Sequence, residues 1–264
     1  IAEKMAKKPA ERAFQKKVAE LIRKANKLED AEVKKVVRLL SAARKEVAAS
    51  VASTEWQAYH LPQLKAAVER ALEGFGQQYG VAMRDAQREF WEVGVDLVDL
   101  PLRAAGVAVA IPEIDMAALA VLQGFSSDLI TGLSKDAIKK VNSELTLALM
   151  GQKSPFDAME AIGRNLDDKS IFKNIKDRAE AITRTEGGRV LEAAGQARKE
   201  SAAKVVPGLQ KKWYYGHSPK MPRPKHMEAH GQIRDVDKPF NIAGEELMYP
   251  KDPAGSAKNT IRCG

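Results

Sequence analysis

Apolar residues recur at helical spacing over most of this chain. Phe14, Val18, Leu21 and Ile22, then Val33, Val36, Val37 and Leu40, predict one or two helices over residues 10–50, with residues 26–30 as a candidate break. Leu64, Val68, Ala71, Leu72 and Phe75 extend the pattern behind Pro62, which suits a helix start. Tyr79, Met83, Phe90 and Trp91 read as core or helix–helix contacts. Pro101 and Pro112 predict a break or kink. Asp115 then reads as the N-cap of a helix through Leu122, Phe125 and Ile130, and Ser134 as the start of another that ends at Gly151. Ser154, Pro155 and Asp157 open a short helix through Met159 and Ile162. A last helix begins near Ser170 and runs over Gly187 and Gly188 to about residue 203. Two adjacent glycines there imply a break or the close approach of another segment.

The pattern changes after Pro207 and Gly208. Residues 211–215 have strand composition, and residues 231–234 and 246–249 read as further short strands among turns. The expected fold is therefore mainly α: an elongated helical body followed by a small irregular α+β C-terminal cap. The expected divisions are residues 1–133, 134–206 and 207–264.

Composition is globular, with 44% hydrophobic and 30% charged residues. The net charge of +8 is unevenly spread. Residues 1–50 carry 14 Lys or Arg against 7 Asp or Glu, residues 51–180 carry 14 against 19, and residues 181–264 carry 15 against 9. Nucleic acid is one candidate partner for the basic ends, although solvated helix faces explain the same numbers. A single cysteine excludes an internal disulfide. The opening IAEKMAKKPAERAF has no apolar core of a secretory leader. Charges and prolines interrupt the most apolar stretch, residues 93–112, so no membrane span is expected.

Special residues crowd into residues 211–263. His217, His226, His230 and Cys263 are the types that hold zinc, but Glu228 lies two residues after His226, unlike the zincin HExxH, and no CxxC occurs. Hydrogen-bonded or surface histidines account for them better than a metal site does. Cys263 with a histidine and Asn259 matches a thiol protease in residue type only. No GxSxG, P-loop or GxGxxG is present. Lys211, Lys212, Arg223, Lys225 and Arg234, interleaved with Trp213, Tyr214 and Tyr215, are candidate backbone contacts to nucleic acid. Arg184 is placed to pair with Glu180 one turn earlier, while Glu186 faces elsewhere, either to hold a loop of the cap or as an ordinary exposed helix carboxylate. The reading is non-enzymatic, with no cofactor. A metal- or nucleotide-dependent hydrolase or toxin-like module in the cap is the alternative.

Taken in order, several of these residues resemble one family. Residues 178–186, RAEAITRTE, resemble the RAxxIARTE helix of the phage Mu F-like, SPP1 gp7-like minor head (head morphogenesis) proteins, with Arg184, Thr185 and Glu186 at its end. Trp213, the Arg223–His226 spacing, Gly231, Phe240, and Asp252 and Pro253 in PKDP follow in that family's order, and Cys263 resembles its closing cysteine. Residues 135–263 are covered. Ile261 replaces one of the two closing cysteines, and Gly216-His217 stands where an aspartate turn is usual. The resemblance implies a minor capsid protein of a tailed double-stranded DNA phage, with portal protein and major capsid or scaffolding protein as partners. It implies a virion location, at the portal vertex or capsid interior, after assembly in the host cytoplasm. Its implied role is in head assembly, DNA packaging or DNA ejection.

Overall fold

The computed structural model describes residues 9–52, 57–215 and 223–261. Among them, helix dominates: α1 (Pro9–Ala52), α2 (Leu61–Ala104), α3 (Ala117–Leu149), α4 (Pro155–Ile162) and α5 (Ile171–Ala203). The cap follows as β1 (Gln210–Lys212), α6 (Pro224–Glu228), β2 (Ile233–Asp235), β3 (Phe240–Ile242), β4 (Glu245–Leu247) and α7 (Ala257–Thr260). A helical body followed by a small α+β region is thus what the chain forms. No helix of the described residues is long and apolar enough to cross a membrane.

Several boundaries differ from the periodicity reading. α1 runs through residues 26–30 without a break, because no breaker occurs there and Leu21, Ala25, Leu28, Val33 and Val36 keep one apolar stripe continuous. α2 continues one turn past Pro101 and stops in a Schellman arrangement: Gly106 has φ +88°, and the Val107 N–H donates to the Leu102 carbonyl at 2.9 Å. α3 is one helix where two were expected. Ser134 is not an N-cap; it sits mid-helix, buried, against Gly76 of α2. Asp115 does cap α3's start, its Oδ1 accepting the Ala117 N–H at 2.9 Å. Gly151 ends α3 as expected, with φ +71°. Ser154 caps α4 as expected, accepting the Asp157 N–H at 3.0 Å.

Packing divides the chain into two compact units that do not follow chain order. One gathers Ile1–Glu29, Ala86–Leu122 and Thr185–Gly264; the other gathers Asp30–Asp85 and Gln123–Arg184. The expected divisions at 133/134 and 206/207 therefore do not coincide with them, because α1, α2, α3 and α5 each serve both units. The second unit holds the larger apolar core, with Leu40, Leu72, Leu133, Leu145 and Phe172 fully buried. Tyr79 is buried there too, its hydroxyl donating to the Ala179 carbonyl at 2.9 Å.

The first unit has smaller cores. Phe90, Trp91, Leu119, Leu122 and Val190 form one. In the cap, Trp213, Phe240, Ile242 and Leu247 form another, with the Trp213 and Phe240 rings edge to face at 5.2 Å. β1 pairs antiparallel with β2, Lys211 opposite Arg234. β3, a strand the composition did not reveal, pairs with β4, Ile242 opposite Glu245. Ala243 and Gly244 both have positive φ in the two-residue turn between them.

Candidate functional site

The second half of α5 carries the features that the rest of unit one is built onto. Gly187 and Gly188 lie inside an unbroken helix, so the close-approach reading of the pair holds. A Cβ on Gly187 would come 2.6 Å from the Phe90 ring, and one on Gly188 would overlap the side chain of Lys251. One glycine admits α2 and the other admits the cap. Gly94 of α2 acts likewise, since a Cβ there would meet the Leu191 carbonyl and come 2.8 Å from Ala194 Cβ.

Around this contact lies a buried polar clasp. Glu186 is only 2% exposed. Arg189 Nη1 donates to both of its carboxylate oxygens, at 2.7 and 2.8 Å. Arg189 Nε also donates to the Lys251 carbonyl at 3.1 Å, so the ion pair holds the Pro250–Pro253 turn on α5. Glu186 thus secures a cap loop, one of its two expected roles, but through Arg189. Burial pushes the Glu186 carboxyl above its ordinary range, against the pull of Arg189 and Lys251. Lys251 adopts φ +64°, a conformation side chains rarely take, at the point where its stem crosses Gly188.

Two turns beyond Arg189, Gln196 Nε2 donates to the Val236 carbonyl at 2.9 Å. Lys211 Nζ donates to the Met248 carbonyl at 2.9 Å and to Gln196 Oε1 at 3.3 Å. Burial first, then the neighbouring Lys199, lowers the Lys211 ammonium to about 8. Tyr249 is pushed up to about 12, chiefly by burial. At the helix end, Arg198 forms a two-pronged pair with Asp99, both contacts 2.6 Å, and donates to the Pro112 carbonyl.

Within the cap, the landmark residues are spent on shape. Arg223 donates to the Lys258 and Ile261 carbonyls at 2.7 and 2.6 Å, tying α6 to α7. His226 is buried, its Nε2 3.5 Å from Asn259 Oδ1, and burial lowers its pKa, keeping the ring neutral. His230 Nδ1 accepts the Tyr215 N–H at 3.1 Å. Gly231 turns the chain with φ +88°, and its N–H donates to the Trp213 carbonyl. Asp252 accepts the Met248 and Ala254 N–H groups at 2.8 and 2.9 Å, and the exposed Pro253 follows it in that turn.

Several sequence-derived roles change. Lys211 faces the interior, 4% exposed, and Arg223 is committed to backbone carbonyls, so neither is placed for phosphate. Lys212, Lys225 and Arg234 do face solvent. Arg184 pairs with Asp30 of α1 at 3.2 Å, where a pair with Glu180 was expected. Thr185 is buried. Of the zinc candidates, His226 and His230 are hydrogen-bonded as above, while His217 and Cys263 lie outside the described residues. Among the described residues no three His, Cys, Asp or Glu side chains gather into a metal-holding group. Arg189, Arg198 and Lys251 escaped the sequence reading. Their only signal is a set of polar residues at helical spacing, Glu186, Arg189, Gln196 and Glu200, on an otherwise Ala- and Gly-rich helix. Comparison with family models, curated proteins and solved structures gave no match to the chain.

Proposed function

We propose that this chain is a minor head-morphogenesis protein of a tailed double-stranded DNA phage. It docks on the portal or on the capsid interior and assists head assembly, DNA packaging or DNA ejection. One observation supports this reading. The residues that resemble the family's landmarks, from Glu186 through Trp213, Arg223 and His226 to Asp252, converge on internal contacts that hold the cap together and onto α5. A motif set spent on shape suits an interaction protein. Exposed lysines and arginines, with Arg23, Lys24 and Lys27 on α1 and Lys212, Lys225 and Arg234 on the cap, supply a surface for packaged DNA.

Co-expression with a portal protein of a tailed phage tests the reading: the two copurify, and the chain is found in purified particles. Absence from both overturns it. DNA binding, where measured, weakens steeply with salt, because phosphate neutralisation releases counterions.

A further inference from the structure

Beside the clasp, unit one contains a cavity of about 260 Å³. Four aromatic rings line part of its wall, Phe90 from α2 and Trp213, Tyr214 and Tyr215 from the cap, beside aliphatic groups such as Ile22, Leu97 and Leu191. The polar part of the wall is Asn26 and Glu29 of α1, Glu192 of α5, and His226 and Lys251 of the cap. Glu192 is the informative group. Burial pushes its carboxyl above the ordinary range, and Lys199 and Lys251 attract it only through space. Among the described residues no donor forms a hydrogen bond to it.

Lys251 does not complete it. Its backbone is pinned by Arg189, its stem lies across Gly188, and its charge is drawn to Glu186 as well. Lys199 stands outside the wall and is shared between Glu192 and Glu200. His226 is neutral. Glu192 is therefore the carboxylate of the wall that no hydrogen-bond donor among the described residues completes, and four aromatic rings share that wall with it. Ring faces attract cations, and a desolvated carboxylate forms its strongest hydrogen bonds with a charged donor. The volume falls below the range of drug-sized ligand pockets and fits a group the size of a side chain.

We infer that this cavity receives a compact organic cation, a guanidinium or alkylammonium group on a short apolar stem. It stands independently of the head-protein reading. The cation has two sources of one chemistry: a free small amine, or an arginine or lysine side chain of another protein.

Calorimetric titration of the whole chain at low salt tests the assignment with butylguanidinium, its neutral isostere butylurea, and N-acetyl-arginine methylamide. Butylguanidinium saturates one site with a dissociation constant on the order of 1 mM, as a small fragment should. Butylurea binds at least about tenfold more weakly, and Glu192→Gln, with its circular dichroism unchanged, loses about tenfold for the cation. Equal or tighter binding of the arginine derivative identifies a protein side chain as the source; its exclusion identifies a free amine. Equal affinity for butylurea, no saturation by butylguanidinium, or a Glu192→Gln protein that titrates like the parent overturns the inference. Should that variant fail to fold, the charged and neutral isosteres on the parent protein decide alone.

Discussion

The first half of α5 buries Phe172, Ile175 and Ala179, whereas its second half buries Glu186, Arg189, Gln196 and Arg198. Both halves belong to one continuous helix, yet they hold their surroundings by different physics. The apolar half gains from removing surface from water, roughly 25 cal/mol per Å², and is tolerant of which apolar neighbour it meets. The polar half gains little net energy, because its charges must first be desolvated, but it accepts only partners that satisfy each donor and acceptor. The lesson is that the apolar half supplies stability, and the polar half specifies where the cap sits.

The sharpest way to break the comparison is to remove one partner from each half. Phe172→Ala should cost about 3–5 kcal/mol in urea denaturation, from lost burial and the cavity left behind. Arg189→Met should cost a similar amount, about 3–5 kcal/mol, because Glu186 is left charged and unpaired inside. The double variant Glu186→Met/Arg189→Met should recover most of that loss, while no second substitution should rescue Phe172→Ala so simply. If the double variant is as unstable as the single, the polar half contributes net energy and the contrast fails.

Gly94→Ala should cost about 1–3 kcal/mol, since the added methyl meets backbone and Ala194 rather than a flexible side chain. Measured stability within about 0.5 kcal/mol of the parent would mean that α2 and α5 separate without penalty.

A subtler effect is the pH dependence from Lys211. Its folded pKa of about 8 lies below the ordinary lysine value of 10.5, so the unfolded chain binds more protons between those values. The penalty for burying the ammonium is full below pH 8, and stability should rise as pH climbs from about 8 towards 10. Tyr249, with its pKa at about 12, opposes this trend only from pH 10 upward. A Lys211→Met protein should show a flatter profile in that window; an unchanged slope would remove Lys211 as its cause. Smallest of all, Arg184→Ala should change stability by less than about 0.5 kcal/mol, because its pair with Asp30 is exposed.

The helical body was legible because its period is local. Each helix repeats the same stripe every three or four residues, and it is punctuated locally, by the side chains of Asp115 and Ser154 and by the positive-φ backbone of Gly151. The continuous α3 was misread because Ser134 carries the same letter as an N-cap, while its place depends on Gly76, 58 positions earlier in the chain. The site was less legible still. Lys211 looked like a phosphate contact because composition does not distinguish a lysine aimed at Met248 from one aimed at water. Arg189 and Lys251, which close the clasp, stand 62 residues apart.

By itself, the sequence determined that this chain builds long helices, that a small turn-rich cap follows residue 207, and that Gly187 and Gly188 mark either a break or a close approach. Only the tertiary structure decided what approaches. Phe90 lies on one glycine and Lys251 on the other, and Glu186, Arg189 and Glu192 become interior charges by that placement. Periodicity encodes which face of a helix avoids water, a property of neighbouring residues. Which charge meets which partner depends on where distant segments are brought together, and no local pattern records it.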